Sequence, residues 1–207
     1  MTGRRGEVSA SSVPASPYRR VFRVCFIPAA RVLLSCGMSN TETFELPRGG
    51  KVELRPVTDD DDQFLLSVYA STREDELSKV EWAEGQKEMF LRWQYDLQQR
   101  EYSSRFPDGD YRVIVVDDCP AGRIWVGSDD KQIRLLDIGL LPEFQNRGVG
   151  TALLHRLMDQ ATKSGKALRH MVLVLNDDAD RFYVRLGFTV IEELGAYKHM
   201  EWRANKS

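Results

Sequence analysis

The chain has 207 residues, enough for one domain with a sizeable core, and its 42% hydrophobic and 29% charged content is that of a globular protein in water. The net charge of −2 conceals an asymmetry: residues 1–38 hold six arginines against Glu7, a charge of +5, so the remainder carries −7. An acidic body lacks the Lys/Arg surplus that neutralises phosphates, which excludes bulk nucleic-acid binding.

Residues 1–48 read as a basic, disordered N-terminal extension. The apolar run Val21–Leu34 is broken by Arg23, Pro28 and Arg31, so it is neither a secretory signal nor a membrane span. The composition changes sharply at Met38, as expected of an upstream start codon, while the Arg/Ser richness leaves an organellar transit peptide open. Residues 49–204 read as a single cytoplasmic domain that engages no membrane. Cys25 and Cys36 lie in the extension and Cys119 stands alone in the body, so no disulfide framework exists there. His155, His170 and His199 lack metal-ligand spacing, and no metal is expected.

In chain order, Lys51–Arg55 alternates polar and apolar residues, a half-buried strand ended by Pro56. Thr58 before Asp59, Asp60 and Asp61 is a capping-box-like helix start, with Phe64, Leu65, Val68 and Tyr69 as the apolar stripe. Glu74–Trp82 is acidic and predicted irregular. A second helix is predicted over Glu84–Tyr102, with Phe90, Trp93 and Leu97 facing inward at i, i+3, i+7. Period-two strands follow at Tyr111–Val116, Ala121–Val126 and Gln132–Leu141. The turns Asp117–Pro120 and Gly127–Asp130 are short enough to force antiparallel pairing. This excludes a doubly wound dinucleotide fold, which needs a crossover helix between successive strands. A helix after Gly148 buries Val149, Leu153, Leu154, Leu157, Met158 and Ala161 and stops at Gly165. The apolar run Met171–Leu175 is predicted to be a strand buried on both faces. A short helix over Asn176–Leu186 and strands Phe188–Ile191 and Tyr197–Trp202 complete the domain. The fold class is therefore α/β with a mixed sheet, in the order β-α-α-β-β-β-α-β-α-β-β: antiparallel strands first, then one parallel crossover.

Two stretches carry chemistry. Gln145-Asn146-Arg147-Gly148-Val149-Gly150-Thr151 fits Q-x-x-G-x-G and joins a strand to a helix N-terminus. Unpaired N–H groups, the helix dipole and glycines together make a phosphate cradle there. The loop matches neither the dinucleotide fingerprint nor the P-loop. Further on, Ala179, Phe182, Tyr183 and Leu186 share one helix face, and by spacing alone Tyr183 is a core tyrosine.

In this order and separated by one apolar strand, the Q-x-x-G-x-G loop and the segment N-x-x-A-x-x-F-Y-x-R-L-G-F (Asn176–Phe188) resemble the GNAT superfamily of acyl-CoA-dependent N-acyltransferases, over roughly Lys51–Trp202. The resemblance implies acetyl-CoA as acyl donor, with residues 145–151 on its pyrophosphate and Ile138, Gly139 and Leu140 beside the pantetheine arm. It further implies polarisation of the thioester carbonyl by a backbone N–H near Leu140. Asn176 would bond pantetheine where the central strands splay, and Tyr183 would be the general acid for the leaving thiolate. Met171 stands where several members carry a glutamate base. Asp137 is then the nearest carboxylate candidate, with a salt bridge as its alternative role, and Glu81, Glu84 or a water chain also stay open. The implied activity is acetyl transfer to a primary amine by direct attack, the acceptor being a small molecule or a protein amino group. The acidic body favours a cationic amine by steering. A non-catalytic coenzyme A-binding regulatory module is the alternative, and a homodimer is left open.

Overall fold

A computed structural model describes residues 41–204. The transit-peptide and Met38-start readings, with Cys25 and Cys36, lie outside the described residues. Twelve helices and strands follow in order: β1 (Glu42–Glu45), β2 (Lys51–Pro56), α1 (Asp62–Leu77), α2 (Gln86–Arg105), β3 (Asp110–Val116), β4 (Cys119–Ser128), β5 (Gln132–Leu140), α3 (Val149–Ser164), β6 (Ala167–Leu173), α4 (Asp177–Arg185), β7 (Thr189–Leu194) and β8 (Tyr197–Trp202). The described strands form one mixed sheet in the order β1-β2-β3-β4-β5-β6-β8-β7, with β5 and β6 as its parallel pair. This is the predicted order with one strand added in front. β1 falls within the stretch read as extension, where four polar-flanked residues around Phe44 carry too little pattern to mark a strand. It is held in place by antiparallel pairing with β2.

Helices cover both faces of the sheet. On one, α3 and α4 pack Leu154, Leu157 and Tyr183 against Ile114, Leu135, Leu168 and Met200. On the other, α1 and α2 pack Leu65, Tyr69, Leu91 and Tyr95 against Val113, Trp125 and Leu136. With both faces covered, β3 and β4 are buried residue after residue along most of their length, where period-two alternation was expected.

Three predicted details are corrected. Helix α1 does not stop before Glu74 but runs to Leu77, because its acids find cations: Lys87 of α2 lies 3.0 Å from Glu74, and Arg73 lies 3.3 Å from Glu76. The α2 face is also shifted, since Leu91 and Tyr95 are buried while Trp93 and Leu97 are 59% and 44% exposed. Two stripes interleave on this helix, and the inward one includes Gln98, whose Oε1 accepts from the buried guanidinium of Arg123 at 3.1 Å. Finally, β6 begins at Ala167 and ends at Leu173, and Met171 is exposed. Its ladder with β5 covers only Gln132↔Ala167 to Arg134↔Arg169, after which the two strands part. Beyond that point β6 has one strand neighbour, β8. At the far edge, β7 is exposed along its whole length, with a register shift between Val190 and Glu192.

Arg55 of β2 clamps the turn before α1. Its two terminal nitrogens donate to the two Asp61 oxygens at 2.8 and 2.6 Å, and the Thr58 amide donates to Asp61 Oδ2 at 2.8 Å. The predicted capping box is present. Arg55 lowers the Asp61 carboxyl from 3.8 to about 2, against a smaller opposing effect of burial and with help from Thr58. A folded-state value below the unfolded one stabilises the protein fully above about pH 4 and loses that contribution as pH falls towards 2. Asp61→Asn should therefore lower unfolding free energy by roughly 1–2 kcal/mol at pH 7, with the gap from the parent closing between about pH 4 and 2. Urea unfolding at several pH values checks this. A gap that stays constant with pH would show that the charge is not what matters.

Candidate active site

The strand-to-helix loop after β5 is built as the sequence suggests. The Leu141 amide donates to Ala121 O at 2.9 Å, which extends the ladder one residue, and a single 3-10 turn at Pro142–Phe144 redirects the chain. Asn146 and Gly148 then adopt left-handed backbone, with φ of 58° and 86°, and Gly148 serves as N-cap of α3. The amides of residues 146–151 find no acceptor within the described chain. Those amides and the positive end of a 16-residue helix are an arrangement that could hold an anion. A Cβ on Gly150 would touch nothing nearer than Phe182 Cζ at 3.6 Å, so this glycine relieves no internal crowding. Its bare Cα opens onto the cleft it lines.

That cleft has a volume of about 940 Å³. It gathers Ile138, Leu140, Gln145, Asn146, Arg147, Gly148, Gly150, Thr151 and Tyr183 from the sequence-predicted set, and adds Arg48, His155 and Arg185. Arg48 and Arg185 make no ion pair with a described residue, which leaves them open to an anionic guest. Neither carries a sequence signal, since one follows β1 in a turn and the other ends α4. Four predicted residues stand elsewhere, Asp137 (described below) and three others. The Val149 side chain is wholly buried in the core. Gly139 faces α1, where a Cβ would lie 3.1 Å from Val68 Cγ1. Asn176 caps α4, its Oδ1 accepting from the Ala179 amide at 3.0 Å, and it does not line the cleft. The Leu140 carbonyl already accepts from Gln145 Nε2 at 2.8 Å.

Tyr183 is a core tyrosine by its ring and a cleft residue by its hydroxyl. Its ring packs against Phe182, Phe188 and His170, with centroids 5.3, 5.3 and 4.7 Å away. No described residue hydrogen-bonds its hydroxyl, and that oxygen is not among the sealed polar atoms. Burial, and secondarily the Asp137 charge, raise its pKa well above 10, so it holds its proton at neutral pH.

His170 occupies the point where β5 and β6 part. Its Nδ1 lies 2.8 Å from Leu135 O, and since a carbonyl only accepts, Nδ1 carries the hydrogen and Nε2 presents a lone pair. Burial lowers its pKa below 6.5, opposed by the Leu135 carbonyl and by Asp137, so the ring is neutral at pH 7. The sequence offered no sign of this histidine beyond its type.

Asp137 lies on the α1/α2 side, opposite Trp125 in the ladder. A bulge at Leu136 shifts the register there. Its Oδ2 forms an ion pair with Arg123 Nε at 2.5 Å. Arg123 is 1% exposed and sits over the Trp125 ring at 4.4 Å, with Tyr69 and Tyr95 at 5.5 and 5.9 Å. The alternative role given to Asp137, a salt bridge, is therefore real. On this same side a second cleft, of about 450 Å³, lies between α2 and the exposed part of β6. Leu135 lines this second cleft while Ile138 lines the first, so β5 separates the two.

This arrangement can be set beside known proteins. A model of the GNAT acetyltransferase family matches residues 68–188. The chain belongs to that family. An uncharacterised N-acetyltransferase of Methanocaldococcus jannaschii is 30% identical over 159 residues, covering 71% of this chain and 65% of the relative. A second curated relative, the uncharacterised N-acetyltransferase CgeE of Bacillus subtilis, is 24% identical over 38% of this chain and 30% of its own. The chain thus spans under two thirds of either relative's length. Among solved structures, PaiA N-acetyltransferase from Thermoplasma acidophilum, crystallised with coenzyme A, matches with a TM-score of 0.57 and 22% identity over 74% of this chain and 99% of that one. An acetyltransferase from Thermus thermophilus matches with a TM-score of 0.53 and 22% identity, over 74% and 97% of the two chains. At such identities these likenesses establish the GNAT fold, including its mixed sheet.

Removing the Asp137 charge leaves a buried guanidinium with Gln98 as its remaining polar contact. Asp137→Asn should cost about 3 kcal/mol of stability, as for other broken buried pairs, read by urea unfolding at pH 7. A change below about 0.5 kcal/mol would place this pair with ordinary surface ion pairs.

Proposed function

We propose that the protein transfers an acetyl group from acetyl-CoA to a primary amine by direct attack. The observation that carries this reading is one cleft lined by the loop with free amides, by three arginines and by Tyr183. Acetyl-CoA, when bound, supplies the thioester that the amine attacks. The amides of residues 146–151 hold its pyrophosphate, with Arg48, Arg147 and Arg185 adding countercharge. Ile138 and Leu140 border the pantetheine arm. Gln145 gives up its bond to Leu140 O where that carbonyl is needed. Asn176 acts through its cap on α4, which fixes the helix that carries Tyr183.

Tyr183 gives its proton to the leaving thiolate, and its raised pKa keeps that proton in place until charge develops beside it. For the amine, His170 is better matched than Asp137. A neutral imidazole accepts a proton near pH 7, whereas the Asp137 carboxylate is already engaged by the Arg123 guanidinium. Asp137 then stabilises the protonated ring, as its favourable charge interaction with His170 suggests. The proton reaches Nε2 through the gap between β5 and β6, directly or by one water.

Thiol release from acetyl-CoA over an amine panel tests the reading. Tyr183→Phe should lower kcat by roughly 10²-fold while calorimetry shows coenzyme A still bound. Tight binding with no amine above background would instead favour a non-catalytic coenzyme A-binding module. The pH dependence follows from His170. The base must be neutral, and its pKa lies below 6.5, so the acid limb of kcat/KM should fall below pH 6.5 and disappear in His170→Gln. A limb that persists unchanged in His170→Gln would return the base to Asp137 or to water.

A further inference from the structure

The second cleft, on the α1/α2 face, has a charge pattern opposite to that of the acidic body around it. Its lining includes Arg73, Arg105 and Arg134 against Glu101. Glu101 is occupied by Arg105 at 2.9 Å, and Arg73 lies 3.3 Å from Glu76. Arg134 is different. It is half-buried on β5, and its side chain makes no ion pair or hydrogen bond with any described residue. Its ladder neighbour Arg169 has already taken Glu201, at 2.7 Å, and Arg203 shares the same carboxylate at 2.5 Å. A cation drawn partly out of water with no countercharge is a ready partner for an anion.

The rest of the wall is apolar. Trp93 and Leu97 of α2, Met171 of β6 and Tyr197 of β8 are all exposed, by 59%, 44%, 37% and 42%, and all line this cleft. Arg134 adjoins Leu135, whose carbonyl holds the His170 ring at 2.8 Å. An anionic anchor and the reacting end are therefore within reach of one small molecule.

We propose, resting on the acetyl-transfer reading above, that the acceptor is a small primary amine that also bears a carboxylate and an apolar side chain, of the apolar α-amino acid class, with Arg134 holding the carboxylate. This reverses the expectation of a cationic amine drawn from overall charge. A polycation would meet three guanidiniums at the cleft, whereas an amino acid meets a matched cation and an apolar slot. The same guanidiniums favour the neutral amine over the ammonium, and the neutral amine is the form that attacks.

Matched pairs test it by thiol release from acetyl-CoA: L-phenylalanine against phenethylamine, L-leucine against isoamylamine, and spermidine as polycation. The carboxylated member of each pair should have kcat/KM about tenfold or more above its partner, and Arg134→Gln should bring that ratio to within about twofold, because the loss falls on the carboxylate contact. Arg134→Lys should keep part of the preference, as a point charge without the fork. Acetyl-CoA binding by calorimetry shows that the variants are folded. Turnover that favours spermidine or the decarboxylated amines, or a ratio unmoved in Arg134→Gln, overturns this proposal and leaves acetyl transfer standing. Absence of thiol release with every amine overturns acetyl transfer itself, and this assignment with it.

Discussion

The parallel ladder between β5 and β6 stops after three residue pairs, and most of what surrounds the candidate site depends on that interruption. Strands that part inside a sheet leave backbone groups without partners, at a cost unless something takes their place. Here the His170 ring does so by bonding the Leu135 carbonyl. The same gap exposes Met171, lets Tyr183 approach from the α4 side, and brings Asp137 close enough to act on both rings electrostatically. One missing stretch of ladder thus sets His170 and Tyr183 side by side between two clefts that β5 keeps apart.

A buried ion pair lies on the α1/α2 side of the gap. Arg123 lies under α1 and α2, walled by three aromatic rings and paired to Asp137. Its strand, β4, approaches β5 so closely that a Cβ on Gly122 would sit 2.1 Å from the Gly139 carbonyl. No side chain fits there, so the position of β5 is fixed from below by backbone contact and ion pairing. A buried charge pair contributes little net stability compared with an apolar pair of similar size. Its value here is directional, since it holds the Asp137 carboxylate at one point beside the gap.

The sequence was legible where local chemistry decides structure. The Thr58–Asp61 capping box and the Gly148 cap are short-range features, and each stands where it was expected. The two predicted turns are narrower than read, because β4 takes in Cys119, Pro120, Gly127 and Ser128. The antiparallel pairing of β3, β4 and β5 followed from turn length alone. What the sequence hid was relational. The inward face of α2 could not be chosen between two stripes, because the correct one contains Gln98, whose reason for facing inward is Arg123, twenty-five residues away. The apolar run at Met171–Leu175 suggested burial on both faces, and the missing neighbour that exposes Met171 leaves no mark in β6 itself. Arg48, Arg134 and His170 carry no motif, and each matters through what stands beside it. Asn176 and Gly139 show the converse: a motif fixed the residue type, but the side chain serves the helix cap or the packing of α1, not the cleft.

The outer edge of the sheet has a consequence of another kind. β7 ends the sheet with an open row of backbone donors and acceptors, and Val190, Ile191 and Leu194 lie bare along it. Such an edge is a template for unlimited strand addition between copies. Two features interrupt it, the offset of pairing between Val190 and Glu192 and the adjacent carboxylates of Glu192 and Glu193. In a fibril that stacked β7 on β7, those acids would pile up in register at strand spacing, each ladder of like charge repelling the next. The protein's colloidal stability at this edge therefore rests on two adjacent carboxylates and one offset of register, since no further described strand covers β7.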